Sequence, residues 1–310
     1  MSDGRSAVVL GGSGFIGRRV CRAMAADGWD VLAVSRRPGV QPGIRSATVD
    51  ATTEDLGPLL RHVQPAVVVN AAGGAFGATD QQMWQRNVVL VENLVAALAE
   101  LPRRARLVQL GTVHEYGVGA PGKPLSADTP ARPTATYGQT KLLSTQLVTE
   151  AHQAGAVDAI VLRIVNLLGA GAPPSSLFGR VIADLVRLRD EQPPSTLNLS
   201  ALDAERDHIA VEDLADAVLR AAVRPVGGAV IPIGSGTAYR VRELVHDLVA
   251  ISGVPVTVVE AEQAAGLGVG ASVIKVDATV ASALLGWRAV TPPRNSLREM
   301  WHAALTHQSA

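Results

Sequence analysis

Short apolar runs alternate with helical patterns along the first half of the chain. Strands are predicted at residues 7–10, 30–35, 47–50, 65–70, 106–111 and 159–165, and helices at residues 15–24, 54–62, 80–100 and 137–155. The run at residues 65–70 is apolar at nearly every position, which is typical of a strand in a parallel sheet that is covered on both faces. The alternation predicts a doubly wound α/β fold.

The pattern changes after residue 168. Helices are predicted at residues 176–189, 211–222, 241–251, 278–285 and 293–305, strands at 229–233 and 254–259, and a polar, proline-containing connection at 191–199. We predict a Rossmann-type cofactor-binding domain over residues 1–168, to which residues 205–235 return. Residues 169–204 and 236–310 are expected to form a smaller, C-terminal substrate-binding cap.

A glycine-rich turn joins the first predicted strand to the first helix. The segment AVVLGGSGFIG fits GxGxxG on Gly12, Gly14 and Gly17, and GxxGxxG on Gly11, Gly14 and Gly17. Glycines permit the tight turn, the close approach of a pyrophosphate to the backbone, and the packing of helix on strand. The positive end of the helix dipole then faces the phosphates. The turn predicts a dinucleotide site.

Composition narrows the class of protein. The 310 residues carry a formal net charge of zero and only 3% aromatic residues, so neither a basic nucleic-acid surface nor base-stacking platforms are expected. The single cysteine, Cys21, excludes a disulfide framework and a cysteine-based zinc site, and no metal is predicted. The polar start MSDGRS lacks a signal-peptide pattern, and no run is long enough to span a bilayer. We expect a cytoplasmic protein with no membrane partner.

The end of the second predicted strand indicates which dinucleotide binds. NAD sites usually carry an acidic residue there, which bonds to the ribose 2′-hydroxyl. This chain has Ser35, Arg36 and Arg37 instead. A guanidinium binds a 2′-phosphate in a bidentate manner, so we predict NADP (NADPH), with a solvated surface turn as the alternative. Asp50 is either a hydrogen-bond partner of the adenine amine or a simple turn residue.

Three residues predict a proton-transfer site. Tyr137 and Lys141 are four residues apart on a predicted helix, so they share a face. An ammonium near a phenol lowers the phenol pKa, which makes the tyrosine a usable acid or base near neutral pH. Thr112 follows the strand at residues 106–111, at the edge where open α/β sheets bind ligands. Its hydroxyl can hold a substrate oxygen against Tyr137.

Five motifs occur in an order that is typical of one enzyme family. They are GGSGFIG, LGTVHEYG, YGQTK, LRIVNLLG and ERDHIAVEDLADAV, and over nearly the whole chain they resemble the extended short-chain dehydrogenase/reductases. The resemblance is greatest to members that reduce nucleotide-linked 4-keto-6-deoxyhexoses. It implies that Tyr137 is the acid/base, that Lys141 is its partner on the nicotinamide ribose, and that Thr112 orients the substrate.

The motifs and the resemblance together imply a wider set of site residues. The expected cofactor-binding residues are Gly11, Gly14, Phe15, Ile16, Gly17, Ser35, Arg36, Arg37, Asp50, Ala51, Ala71, Ala72, Gly73, Asn87, Tyr137, Lys141 and Ile164. The expected substrate-binding residues are Phe76, Val113, His114, Asn166, Phe178 and Arg206. The resemblance places Arg206 on the nucleotide diphosphate, and a local ion pair with Asp207 is the alternative.

The residues after Thr112 depart from a related group. Sugar-nucleotide 4,6-dehydratases that the chain resembles carry an acidic pair there, which eliminates water, whereas this chain has Val113 and His114. Valine transfers no proton, so dehydration is not expected, and Glu115 is displaced by one residue. His114 is expected either to line the pocket, as a hydrogen-bonding group or an acid, or to be a satisfied residue behind it.

The expected function is NADPH-dependent reduction of a keto group, at C4, of a nucleotide-linked 4-keto-6-deoxyhexose such as a dTDP-hexose. The arginines favour a reductase, because net reduction consumes NADPH whereas an epimerase returns its cofactor unchanged and can retain NAD. The alternatives are an NDP-sugar 4-epimerase with retained NAD and a non-catalytic NADP-binding regulator of the same fold.

A homodimer is also expected. The helix predicted at residues 80–100 is apolar on more than one side. The helix that starts at Tyr137 adds Leu142, Leu143, Leu147 and Val148. Related proteins pair these two helices across a two-fold axis as a four-helix bundle, which implies an isologous dimer. The alternative is that the cap covers the apolar surface within one chain.

Overall fold

The computed structural model describes residues 5–39, 41–74, 77–117, 122–191, 195–261 and 273–306. Within these ranges a seven-stranded, fully parallel sheet forms the centre of the molecule. In order across the sheet its strands are β10 (Val230–Ile233), β6 (Asp158–Ile164), β5 (Arg106–Thr112), β4 (Val67–Asn70), β1 (Ser6–Leu10), β2 (Asp30–Ser35) and β3 (Arg45–Thr48). The central strands are buried along nearly their whole length, as expected for apolar runs that are covered on both faces.

Helices cover both faces of this sheet. One face packs against α1 (Phe15–Ala26), α7 (Val211–Val223) and α9 (Thr279–Leu285). The other packs against α2 (Gly57–Val63), α4 (Leu90–Ala99) and α5 (Thr136–Gln153). The prediction of a doubly wound, Rossmann-type fold is confirmed. None of the helices in the described residues is long and apolar enough to cross a membrane.

The helix predicted at residues 80–100 contains an irregular turn. It comprises α3 (Asp80–Trp84), a π-helical turn at Gln85–Val89, and α4. The turn contains Asn87, whose Oδ1 accepts a hydrogen bond from Gly74 N at 2.8 Å and whose Nδ2 donates to Thr140 Oγ1 at 3.0 Å. Asn87 thereby fastens the loop after β4 to α5, and single π turns of this kind often occur at functional sites.

A second hydrophobic core lies away from the large sheet. It is built from α6 (Leu177–Leu188), α8 (Val241–Ser252), α10 (Pro293–Thr306) and a parallel strand pair, β8 (Ser195–Leu199) with β12 (Val256–Glu260). Residues 191–199 are predicted as a connection, and this prediction is wrong for residues 195–199, which form β8. Buried and exposed residues alternate in β8, and this period of two identifies a strand that its polar residues obscure.

A small sheet lies beside this second core. Its central strand, β9 (Glu205–Ala210), pairs with β7 (Asn166–Leu168), β11 (Ala238–Arg240) and β13 (Val273–Ile274). Of the residues expected to return to the first domain, α7 and β10 lie on the large sheet, whereas β9 lies in the small one. The division into a cofactor-binding domain and a cap stays a prediction.

Candidate active site

Two cavities open where the parallel strands of the large sheet end. We call the smaller, of about 440 Å³, the glycine-loop cavity, because Gly11 and Gly14 line it beside the ends of β1, β2 and β4. We call the larger, of about 710 Å³, the tyrosine cavity, because Tyr137 lines it beside the ends of β5 and β6. Ligands of open α/β sheets bind at this edge.

The glycine-loop cavity brings together more than half of the predicted cofactor-binding residues. These are Gly11, Gly14, Ser35, Arg36, Arg37, Ala51, Ala71, Ala72 and Gly73. Arg86, from the π-helical turn, also lines it and escaped the sequence analysis. Arg86 belongs to none of the sequence motifs, and only the fold brings it beside Arg36 and Arg37.

The glycine turn has the geometry that its sequence requires. Gly11 has a φ of +74°, which an L side chain rarely adopts, and its N–H donates to Val34 O at 2.8 Å. Gly17 lies outside the cavity. It packs so closely against the turn that a Cβ at this position would collide with the carbonyl oxygen of Gly11. The Ser35 hydroxyl accepts a hydrogen bond from Ser13 N at 2.9 Å, which ties the turn to the end of β2.

The glycine-loop cavity is positively charged. Among the residues that the structure describes, its lining includes three arginines and no carboxylate. Arg36 and Arg37 are exposed, and neither forms an ion pair within the described part of the chain. Asp50 does not line the cavity; its Oδ1 accepts from Thr52 Oγ1 at 2.6 Å, and this bond is the main cause that lowers the pKa of Asp50. The bond to Thr52 is the one that a turn residue makes, and a contact of Asp50 with the adenine amine stays a prediction.

The tyrosine cavity brings together further predicted residues from distant parts of the chain. Its lining includes Phe15, Ile16, Thr112, His114, Tyr137, Ile164, Asn166, Phe178 and Arg206. Residues that the sequence analysis did not single out also line it, among them Arg180, Ser200, Leu202, His208 and Val241.

Thr112 and Tyr137 meet in this cavity. Their side chains share a hydrogen bond, which lowers the pKa of Tyr137, but burial outweighs it and raises that pKa to about 12. Lys141 is buried, lines neither cavity, and its Nζ donates to Leu110 O at 2.5 Å. The expected lowering of the tyrosine pKa by the nearby ammonium is therefore wrong for this state. The phenol is neutral near pH 7 and is suited to donate a proton.

His114 lies beside the phenol ring. The two ring centroids are 5.8 Å apart, with an interplanar angle of 64°. Burial, and secondly the positive charge of Arg206, lower the pKa of His114, which favours the neutral imidazole. Of the two interpretations of His114, the structure shows the residue that lines the pocket.

Several predicted residues lie elsewhere. Val113 is only 2% exposed and packs in the core under the sheet, so its assignment to the substrate site is corrected. Asn87 is buried and positions the loop after β4 rather than lining a cavity. Phe76 lies outside the described residues. Asp207 is buried and accepts hydrogen bonds from Ser235 and from backbone N–H groups, and the choice between the two interpretations of Arg206 stays a prediction.

Glu115 is the main residue that the sequence analysis missed. It is fully buried, and its carboxylate accepts from Thr112 N at 2.8 Å, Thr145 Oγ1 at 2.8 Å and Arg163 Nε at 2.7 Å. A signal was present, because Thr112 and Glu115 have the T-x-x-E spacing of a capping box.

His208 was missed as well. Its Nδ1 lies 3.0 Å from Arg206 O, and its ring meets Phe178 edge-on at 5.7 Å. Burial lowers the pKa of His208 to about 4, so the ring is neutral at pH 7. A carbonyl oxygen only accepts, so Nδ1 carries the proton, and Nε2 is an acceptor in a residue that lines the tyrosine cavity.

Comparison with known proteins decides the family. Residues 7–234 match the model of the NAD dependent epimerase/dehydratase family. The chain belongs to this family. It is 40% identical over 302 residues to a dTDP-6-deoxy-L-talose 4-dehydrogenase (NAD(P)(+)) from Kitasatospora kifunensis, which covers 96% of this chain and 95% of that protein. It is thus an NAD(P)-dependent enzyme of the extended short-chain dehydrogenase/reductase type.

More distant relatives also match most of this chain. A UDP-glucose 4-epimerase from Azospirillum brasilense is 28% identical over 289 residues, covering 81% of this chain and 79% of that protein. The solved structure of MoeE5 in complex with UDP-glucose and NAD superposes with a TM-score of 0.85 at 26% identity, covering 98% of this chain and 99% of that one.

Proposed function

We propose that this protein reduces the C4 keto group of a nucleotide-linked 4-keto-6-deoxyhexose, with NADPH as the reductant. The observation that carries the proposal is the hydrogen-bonded pair of Thr112 and neutral Tyr137 at the wall of the tyrosine cavity. The Kitasatospora relative supports the position and the sugar class, because a 4-dehydrogenase interconverts an alcohol and a ketone at that carbon.

The residues of the cavity account for one proton transfer. A keto oxygen that accepts hydrogen bonds from both hydroxyls, in place of the bond between Thr112 and Tyr137, is oriented by them and its carbonyl is polarised. When bound, the nicotinamide supplies the hydride that reduces the carbon. Tyr137 then gives its proton to the new alkoxide, so one hydride and one proton convert the ketone to an alcohol. Lys141, buried one turn beyond Tyr137 on α5, would hold the nicotinamide ribose.

The turn after Thr112 supports reduction rather than dehydration. Val113 is in the core, and Glu115 is fully buried against Arg163, so neither side chain reaches a substrate. His114 lines the cavity as a neutral hydrogen-bonding group. Arg206 lines the same cavity and suits the diphosphate of a nucleotide-linked sugar, for which a guanidinium is a good partner.

The glycine-loop cavity supports NADP as the cofactor. Its glycines allow close approach of a pyrophosphate, and Arg36 and Arg37 provide positive charge at the end of β2. The Ser35 hydroxyl already accepts from Ser13 N and still has its own proton to donate. The described part of the lining carries no carboxylate that would repel a 2′-phosphate.

The decisive experiment offers the protein NADPH and a dTDP-4-keto-6-deoxyhexose. Loss of absorbance at the nicotinamide band, in step with loss of the ketone, supports the reductase. The second candidate is a 4-epimerase with retained NAD, which the 28% identity to a UDP-glucose 4-epimerase favours. Interconversion of UDP-hexose epimers without net cofactor consumption identifies that activity, and binding of NADPH without turnover of any sugar identifies a regulator.

We also propose an isologous homodimer. Most apolar residues of α4 are buried within one chain, whereas on α5 Val148 is buried and Leu142 and Leu147 are only partly buried. Trp84, on α3, is 46% exposed, and Leu143, on α5, is 37% exposed; these two helices touch. A two-fold pairing of these helices covers both side chains. Light scattering at micromolar concentration is expected to give twice the chain mass, and Trp84→Glu to reduce it to the monomer. A concentration-independent monomer mass for the natural chain contradicts the dimer.

A further inference from the structure

The carboxylate of Glu115 joins three elements of the candidate active site. Its Oε1 accepts from Thr112 N at 2.8 Å, at the end of β5. Its Oε2 accepts from Arg163 Nε at 2.7 Å, on β6, and from Thr145 Oγ1 at 2.8 Å, on α5. Thr145 lies about two turns beyond Tyr137 on that helix, so one buried group contacts the elements that carry both hydroxyls of the proposed reaction.

These bonds exceed what a helix cap requires. The capping box accounts for the bond to Thr112 alone, whereas the other two cross to different elements. Arg163 is itself buried, and its guanidinium lies 4.5 Å from the ring centroid of Tyr116. A buried carboxylate is unfavourable unless it is paired and hydrogen-bonded, so this arrangement tolerates little displacement of any member.

We propose that Glu115 is a positioning residue, which holds Thr112 and α5 in the register that lets Thr112 and Tyr137 bind one substrate oxygen. The inference rests on the function proposed above. Glu115 acts through these neighbours, because it is fully buried and lines neither cavity.

The charge of Glu115 gives this role a second signature. It raises the pKa of Tyr137, together with burial, and it raises the pKa of Lys141, against burial. Other titratable or charged groups among the described residues near this site are His114 and Tyr116, from the turn after β5, Arg163, from β6, and Arg206, from β9. Neutralising Glu115 lowers both pKa values, so the alkaline limb of the kcat profile moves to lower pH.

The primary test is Glu115→Gln, with Val148→Ala as a matched control. The glutamine keeps the size and one carbonyl oxygen, but it directs N–H groups at neighbours that are donors. Val148 is buried on α5, the helix that carries Tyr137 and Thr145, and it makes none of the Glu115 bonds. Its truncation therefore lowers Tm through a core cavity alone. We expect Glu115→Gln to lower kcat at least tenfold with KM for NADPH within twofold, and Val148→Ala to retain kcat within twofold.

Thr145→Val provides a milder variant if Glu115→Gln does not fold. It leaves the pair of Glu115 and Arg163 intact and removes only the bond to α5. We expect a three- to tenfold lower kcat with little change in Tm. If the variants lose no more kcat than Val148→Ala at an equal loss of Tm, Glu115 serves stability only and the proposal is overturned.

A measurement without substrate separates this inference from the proposed function. The chain has three tyrosines, so the Tyr116→Phe/Tyr239→Phe background leaves Tyr137 as the only one. In that background, Glu115→Gln is expected to lower the midpoint of the tyrosinate absorbance titration. An unchanged midpoint overturns the inference even in an active reductase, whereas a lowered midpoint in a protein that reduces no sugar overturns the proposed function alone.

Discussion

The two cavities of this protein are lined by different kinds of residues, from different parts of the fold. The glycine-loop cavity is lined mainly by residues at the ends of four neighbouring strands, β1, β2, β3 and β4, and it includes glycines of the turn after β1. The tyrosine cavity draws side chains from Phe15 to Val241, across both hydrophobic cores of the molecule. The first suits a ligand that is recognised by its phosphates, and the second suits one that is recognised by side-chain shape and hydrogen bonding.

Charge distinguishes the cavities in the same way. The glycine-loop cavity presents exposed arginines, whose charge does not depend on their surroundings. The tyrosine cavity also contains Arg180 and Arg206, but around its proposed proton donor it presents Tyr137, His114 and His208, whose neutral forms burial favours. Binding in the first cavity is therefore expected to depend on permanent charge, and turnover in the second on protonation that burial sets.

The largest expected effect comes from the phenol of the tyrosine cavity. Tyr137→Phe removes the proton donor, so turnover is expected to fall by about 10²–10⁴-fold, while NADPH binding in the other cavity stays within about twofold. Fluorescence titration with NADPH and steady-state kinetics measure the two quantities. Tyr239→Phe, the same chemical change on β11 and outside both cavities, is the control and is expected to retain activity.

The opposite result is also informative. Near-normal turnover in Tyr137→Phe contradicts its role as the donor and makes His114, whose ring lies against the phenol, the next candidate. Equal losses of turnover and of NADPH binding contradict the separation of roles between the cavities.

The buried histidine gives a smaller effect, on stability. His208 has a pKa of about 4 in the folded chain against an ordinary value of 6.5, so the unfolded state binds more protons between these values. Its contribution to the free energy of unfolding is intact above about pH 6.5 and falls by up to about 3 kcal/mol as the pH drops to 4.

Urea denaturation between pH 4 and pH 8 checks this contribution. His208→Gln is expected to flatten the decline of stability on the acid side, because glutamine does not titrate. His62→Gln, at an exposed position on α2, is the control and is expected to retain the slope of the natural chain. An unchanged slope in His208→Gln contradicts the buried, neutral histidine.

The smallest expected effect tests the permanent charge of the glycine-loop cavity. A charge-assisted contact with a phosphate is worth about 1.5–3 kcal/mol, so Arg36→Ala is expected to weaken NADPH binding by about ten- to a hundredfold and NADH binding far less. Arg22→Ala removes an equal charge from an exposed position on α1 outside the cavity and is expected to change neither. Equal losses for both cofactors indicate that Arg36 does not read the 2′-phosphate.

The sequence was most informative where the decisive interactions are local. The strands β1, β2 and β5 and the turn at Gly11 follow from apolar runs and from glycine spacing within about ten residues. The strand β8 was missed because its partner, β12, lies about sixty residues further along the chain. A short polar strand gains its stability from that partner, and local propensity carries little of it.

The site shows the same division. The sequence alone determined the candidate residues for the proposed chemistry, namely Thr112, Tyr137 and the arginines after β2, because their order and spacing are properties of the chain. Only the tertiary structure decided their state. Burial by residues from several elements raises the pKa of Tyr137 to about 12. Glu115 lies against Arg163, 48 positions away in the chain, rather than facing a substrate. The burial of a side chain and the identity of its distant hydrogen-bond partners depend on how the whole chain packs. A local sequence pattern therefore does not predict them.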